Sequence, residues 1–151
     1  VAERTLPEAQ GGEETILVVE DEYMLVDLLK SLLACKGYTV LTVEDGDAAL
    51  QVFARRHRQI DLVLMDVGLP KVSGWDALQN MRQRDPNIPI ILASGYLGAE
   101  ADERSLEAGA SAYISKPYVP ETVPAIVRRV LDKTRNLRQN REASDVRSTT
   151  S

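Results

Sequence analysis

The sequence predicts an α/β protein: a doubly wound, five-stranded parallel sheet in the order 2-1-3-4-5. Three observations carry this. Short apolar runs recur along the chain, among them Ile16-Leu17-Val18-Val19, Leu62-Val63-Leu64-Met65 and Ile90-Ile91-Leu92-Ala93, as expected of parallel strands buried on both faces. Amphipathic helical patterns lie between them, and strict β-α alternation with short connections covers such a sheet on both sides. Several runs also deliver a polar group at the same end: Glu20-Asp21, Asp66, Ser94 and Lys116. In this strand order the switch point lies between the first and third strands, where ligands bind at the carboxyl ends.

The elements follow in chain order. Strands are expected at about residues 15–20, 38–43, 60–65, 88–93 and 111–115. Leu25, Leu28, Leu29 and Leu32 form one buried face of a first helix, which Lys36-Gly37 stops. Asp45 is a good N-cap for a second helix through Ala48, Ala49, Val52 and Phe53, ending near Arg56. A third begins after Ser73-Gly74, contains Leu78 and Met81, and has Pro86 just past its end. A fourth, with Leu106 and Ala108, ends at Gly109, and a fifth aligns Val123, Ile126, Val127, Val130 and Leu131. The start of the fifth is open: Pro120 as first helical residue leaves Pro124 without its amide one turn in, whereas Thr122 caps a later start. The whole is a flavodoxin-like (βα)5 pattern.

The 151 residues suffice for one domain with a core, and a 44% hydrophobic, 27% charged composition is that of an ordinary globular protein. No apolar stretch approaches a membrane span, and no secretory signal pattern opens the chain. Cys35 is the only cysteine, which excludes an intramolecular disulfide and fits a cytoplasmic setting. Of the net charge of −5, residues 128–151 hold seven basic against three acidic groups, or +4, leaving −9 for the rest. An acidic body argues against a nucleic-acid surface. Residues 1–14, with Pro7 and Gly11-Gly12, read as a polar linker, residues 15–133 as the folded domain, and residues 134–151 as a polar, disordered tail.

The chemistry follows from charge. Glu20, Asp21 and Asp66 in one cleft repel unless a cation offsets them. Carboxylates and a backbone carbonyl are hard oxygen ligands suited to Mg²⁺, with Asp21 and Asp66 as direct ligands, Glu20 acting through water and the Gly68 carbonyl turned inward. Such a site receives a phosphoryl group, with Lys116 supplying positive charge opposite the metal. Asp66 is then the nucleophile that forms an acyl phosphate, and Ser94 a hydrogen-bond donor to it.

The runs ILVVEDE, DLVLMDVGLP, ILASGY and AYISKPY resemble those of the receiver domain of two-component response regulators, over roughly residues 15–133. The resemblance implies that Asp66 takes a phosphoryl group from phosphohistidine on a histidine kinase or histidine phosphotransfer protein. It implies an acidic pair at Glu20 and Asp21, a switch hydroxyl at Ser94, a phosphate-sensing Lys116, an aromatic switch at Tyr113 and a cis Lys116-Pro117 bond. The face of the fourth helix, fifth strand and fifth helix is then the switching surface and a possible homodimer contact. Phosphorylation and dephosphorylation would be self-catalysed, with no turnover of an external substrate.

The pattern departs from relatives at two places. Gly68 offers no side chain where many have one, and Gly95-Tyr96-Leu97-Gly98 implies a mobile loop after Ser94. The Ser-Gly-Tyr variant, polar start and non-Met first residue incline the reading toward the C-terminal receiver of a hybrid sensor kinase, with a free-standing regulator as the other case.

Other residues have plainer readings. Trp75 packs at the start of the third helix, His57 ends a solvated helix, and Cys35 is a small core residue. Competing functions are a flavodoxin-like cofactor binder, disfavoured by Glu20-Asp21-Glu22, and a haloacid-dehalogenase-type phosphatase, which needs a second acid where Gly68 stands. A phosphorylation-independent interaction module is the remaining alternative.

Overall fold

A computed structural model of the chain describes residues 10–95, 104 and 106–148. Five parallel strands, β1 (Thr15–Val19), β2 (Thr39–Val43), β3 (Leu62–Asp66), β4 (Ile90–Ser94) and β5 (Ala112–Ser115), lie in the order β2-β1-β3-β4-β5. The predicted architecture is therefore the observed one. β1, β3 and β4 are almost wholly buried, whereas β2 and β5, at the edges, are not. This is why the central strands read as unbroken apolar runs.

Side chains alternate between two cores, as the two-residue strand period requires. Leu17, Val19, Val63, Met65, Ile90 and Leu92 face one core, with α2 (Gly46–Arg56) and α3 (Gly74–Arg84) supplying Phe53, Leu78 and Met81. Ile16, Val18, Leu62, Leu64, Ile91 and Ala93 face the other. There α1 (Tyr23–Ala34) contributes Leu29 and Leu33, and the C-terminal helix (Thr122–Ser148) contributes Val123, Val127, Val130 and Leu131.

The helix signals act where the sequence places them. The Asp45 carboxylate accepts the Ala48 N–H at 2.7 Å and caps α2, and Ser73 Oγ accepts the Asp76 N–H at 3.2 Å and caps α3. Gly37 and Gly109 carry φ of 97° and 95°, the left-handed stop that a Cβ disfavours. The C-terminal helix begins at Thr122, so Pro124 is its third residue, among amides that lack an intrahelical acceptor anyway. That removes the conflict Pro124 posed in the sequence.

Several expectations are corrected. The predicted disordered tail from residue 134 is helical through Ser148. Residues 134–148 contain neither Gly nor Pro, and eight of the fifteen are good helix formers (four Arg with one each of Leu, Gln, Glu and Ala), so a helix nucleated on the core propagates through them. Arg141 also reaches Asn87 Oδ1 at 2.8 Å. Within the predicted linker, residues 11–14 are docked: the Gly12 N–H donates to Lys36 O, and the Glu14 carbonyl accepts the Thr39 N–H, both at 3.1 Å. Cys35 is exposed at the end of α1, because the buried Leu29 and Leu33 face the other way. His57 does end α2, but its ring leans on Phe53 at 5.8 Å between centroids and is half-buried. Arg104, Leu106 and Glu107 are helical before Gly109, while Tyr96, Leu97 and Gly98 lie outside the described residues.

Candidate functional site

The polar strand ends converge because the ladders continue past the strands. The Glu20 N–H donates to Val43 O at 3.1 Å, Val67 N–H to Ala93 O at 2.9 Å, and Lys116 N–H to Ser94 O at 2.8 Å. β1 pairs with β3 up to Val19–Met65, so Glu20 and Asp66 leave adjacent strands side by side. The ligand oxygens of Glu20, Asp21 and Asp66 all lie within 4.8 Å of one another. Across from them, Lys116 Nζ stands 2.9 Å from Glu20 Oε2 and 3.1 Å from Asp66 Oδ2.

Burial differs sharply within this group. Glu20 is fully buried, Asp66 is 8% exposed, and Asp21 faces solvent. Burial raises the Glu20 pKa above the usual carboxylate value, the Asp66 charge adds to the rise, and Lys116 opposes it. Burial alone would pull Lys116 down. Its hydrogen bonds and charge interactions with Glu20 and Asp66 outweigh that and hold its pKa above the usual value. The lysine, facing two carboxylates, is kept charged. Three carboxylates against one ammonium leave an excess of two negative charges.

The remaining predicted residues sit around this centre. The Gly68 N–H donates to Asp66 Oδ1 at 3.2 Å, which fixes the carboxylate from the loop side. Ser94 ends β4, directly beside the β3 terminus, and is 4% exposed. Tyr113 on β5 is half-buried, and its hydroxyl donates to Ser94 O at 3.4 Å. The Lys116-Pro117 peptide is cis. Trp75 packs on the core at the start of α3, as expected, and carries the Arg104 guanidinium 4.6 Å over its ring.

Sequence reasoning missed Tyr118. Its hydroxyl donates to Glu20 Oε2 at 3.4 Å, and its ring centroid lies 5.7 Å from Lys116 Nζ. Its position two residues beyond Lys116 was the available signal, but a tyrosine there reads as ordinary packing.

What this arrangement can do is bounded by its donors. Clustered carboxylate oxygens with a net negative excess fit a hard divalent cation such as Mg²⁺, and the donors present are Asp21, Asp66 and Glu20. The partly exposed Asp66 oxygens, flanked by an ammonium and a neighbouring hydroxyl-bearing strand end, fit a nucleophile for an electrophilic phosphorus.

Comparison with known proteins bears on this directly. The family model for the response regulator receiver domain matches residues 16–128. The chain is 36% identical over 126 residues to the probable transcriptional regulatory protein TcrX of Mycobacterium tuberculosis, covering 83% of this chain and 53% of that protein. It is 38% identical over 126 residues to the probable transcriptional regulator ycf27 of Cyanophora paradoxa, covering 83% and 51%. The chain thus spans about half the length of these curated relatives. Among solved structures, a response regulator receiver domain protein from Clostridium thermocellum superposes with a TM-score of 0.77 at 27% identity, covering 82% of this chain and 98% of that one. A CheY-like receiver domain protein from Methanospirillum hungatei gives 0.75 at 29% identity, covering 83% and 98%.

Proposed function

The chain belongs to the response regulator receiver domain family, and from that premise we propose that Asp66 accepts a phosphoryl group from a phosphohistidine on a histidine kinase or histidine phosphotransfer protein. The single observation that carries the reading is the shared contact of Lys116 with Glu20 and Asp66 beside an exposed Asp21. In the step, an Asp66 carboxylate oxygen attacks phosphorus, the P–O bond forms, and the P–N bond breaks with its electron pair going to the donor imidazole. Mg²⁺ held by Asp21 and Asp66, with Glu20 behind them, would supply charge neutralisation at the phosphoryl oxygens. Lys116 is placed to stabilise the charge that arrives, and Ser94 to hydrogen-bond it.

The output follows from the same side chains. A phosphoryl group brings about two negative charges and draws Ser94 and Lys116 inward. Tyr113 donates to the Ser94 carbonyl, so a shift of Ser94 is felt at Tyr113 and along the surface of the helical segment before β5, β5 and the C-terminal helix. We assign that face as the switching surface and as the contact for a second copy, and the cytoplasm as the setting. A population shift of this kind needs only a few kcal/mol of differential interaction.

Labelling with a small phosphodonor in the presence of Mg²⁺ tests the reading. The wild-type domain should gain one acid-stable, base-labile phosphoryl group and Asp66→Asn none, with circular dichroism unchanged. A wild-type domain that takes no label would favour the phosphorylation-independent module, and persistent labelling of Asp66→Asn would move the acceptor elsewhere.

A further inference from the structure

Lys116 is asked to leave a partner that cannot tolerate being left. Glu20 has no exposed surface, and its carboxylate accepts from three donors: Lys116 Nζ at 2.9 Å, the Tyr118 hydroxyl at 3.4 Å and the Glu22 N–H at 3.3 Å. If Lys116 turns toward a phosphoryl group on Asp66, its contact with Glu20 weakens, and a buried carboxylate that loses its ammonium opposes the movement. A second donor on the same oxygen lowers that cost.

Tyr118 is built to be that donor. Its ring is 7% exposed and belongs to the core cluster with Ile16, Val18 and Ile114, a role that phenylalanine would fill equally well. The hydroxyl is the one part that packing does not require. It points at Glu20 Oε2, the oxygen that Lys116 also contacts. A phenol is protonated at neutral pH, and against a carboxylate oxygen it can only donate. The ring also lies within cation–π reach of Lys116, 5.7 Å from its Nζ.

We propose that Tyr118 is a positioning residue whose hydroxyl holds the Glu20 carboxylate, so that Lys116 is free to follow a phosphoryl group onto Asp66. The inference rests on the phosphoryl-acceptor reading above and adds a residue to it. It makes the hydroxyl matter more after phosphorylation than before, because only then does Glu20 depend on Tyr118.

The test is Tyr118→Phe, which keeps the ring, measured beside Tyr118→Leu. Labelling by phosphoramidate with Mg²⁺ should slow about tenfold in Tyr118→Phe, the size of one hydrogen bond to a charged group. The affinity for beryllium fluoride, a phosphoryl mimic, should fall by a similar factor. In a Lys116→Ala background the same Phe substitution should change neither quantity further, since there is no lysine to release. A purely structural hydroxyl would cost the same in both backgrounds, and that outcome overturns the proposal. So does a Tyr118→Phe protein that labels like wild type while only Tyr118→Leu is impaired, which would make Tyr118 a packing residue. Failure of the wild-type protein to label at all is a different result and removes the acceptor reading beneath it.

Discussion

Replacing Lys116 by Met removes the one ammonium that Glu20 and Asp66 share while keeping most of the apolar stem. Glu20 is then a fully buried carboxylate with two neutral donors, the Tyr118 hydroxyl at 3.4 Å and the Glu22 N–H at 3.3 Å. Breaking a buried pair by removing one partner costs roughly 3–5 kcal/mol, and the two remaining donors place this case near the lower end, at about 3 kcal/mol. With a urea slope of about 1.5 kcal/mol/M, the unfolding midpoint should fall by about 2 M.

The loss should also depend on pH, with a defined sign. Glu20 has a folded pKa above its unfolded value, so its contribution to stability is fully present below the unfolded pKa and is lost as pH rises through the folded one. Lys116 holds that rise in check, and without it the folded pKa climbs further. The deficit of Lys116→Met is therefore largest near neutral pH and shrinks toward about pH 4.5, where Glu20 protonates in both proteins. Urea unfolding followed by circular dichroism, in EDTA at about pH 7.5 and about pH 4.5, reads both quantities. A deficit under about 1 kcal/mol at neutral pH, or one of equal size at both pH values, would refute the buried-pair reasoning.

Other substitutions test other parts of the description. Asp21→Asn should weaken Mg²⁺ binding and yet raise the thermal midpoint in EDTA, because it relieves repulsion within the acidic cluster; a metal titration matching wild type would contradict the ligand assignment. Arg128 holds Glu14 by a two-point contact at 2.6 and 3.1 Å and also bonds Tyr38 and Asp132, so Arg128→Met should cost about 2 kcal/mol at neutral pH. The Arg128 hydrogen bond depresses the folded pKa of Glu14, so this contribution is present above the unfolded pKa and lost as pH falls through the folded one; stability curves that fail to converge in acid would contradict it. Cys35 should react with a thiol reagent in the native protein as fast as after unfolding, and protection until unfolding would contradict its exposure.

What the sequence revealed and what it concealed divide along a physical line. β1, β3 and β4 were legible because burial on both faces forces continuous apolar runs, and a polar residue ending such a run is conspicuous. Glu20, Asp21, Asp66, Ser94 and Lys116 stood out in the sequence for that reason, and the fold brings them to one sheet edge. Tyr118 did not, because what ties it to the cluster is one hydroxyl aimed at a residue 98 positions away, and its ring looks like any other core aromatic. Cys35 was misplaced because a small residue near a helix end carries no sign of which way it faces. The tail was misread because polarity was taken for disorder. Polarity bears on whether a helix can be buried, whereas helix propagation depends on backbone propensity, and residues 134–148 lack the breakers that would stop it.

The charge arrangement also orders the events that the site can support. Glu20, Asp21 and Asp66 against Lys116 leave an excess of two negative charges, a field that repels an incoming phosphodonor. A bound divalent cation would bring that excess to zero, so on the proposed function neutralisation comes before phosphoryl acceptance. Converting the Asp66 carboxylate to an acyl phosphate then replaces one negative charge by about two. The site is left one charge more negative than the metal-bound resting state, at the phosphoryl oxygens. Lys116, already within 3.1 Å of Asp66 and kept protonated by both carboxylates, is placed to answer that change. On the proposed function, the resting ion pair is then a stored response: the contact of Lys116 with Glu20 and Asp66 is the one whose rearrangement would report the new charge.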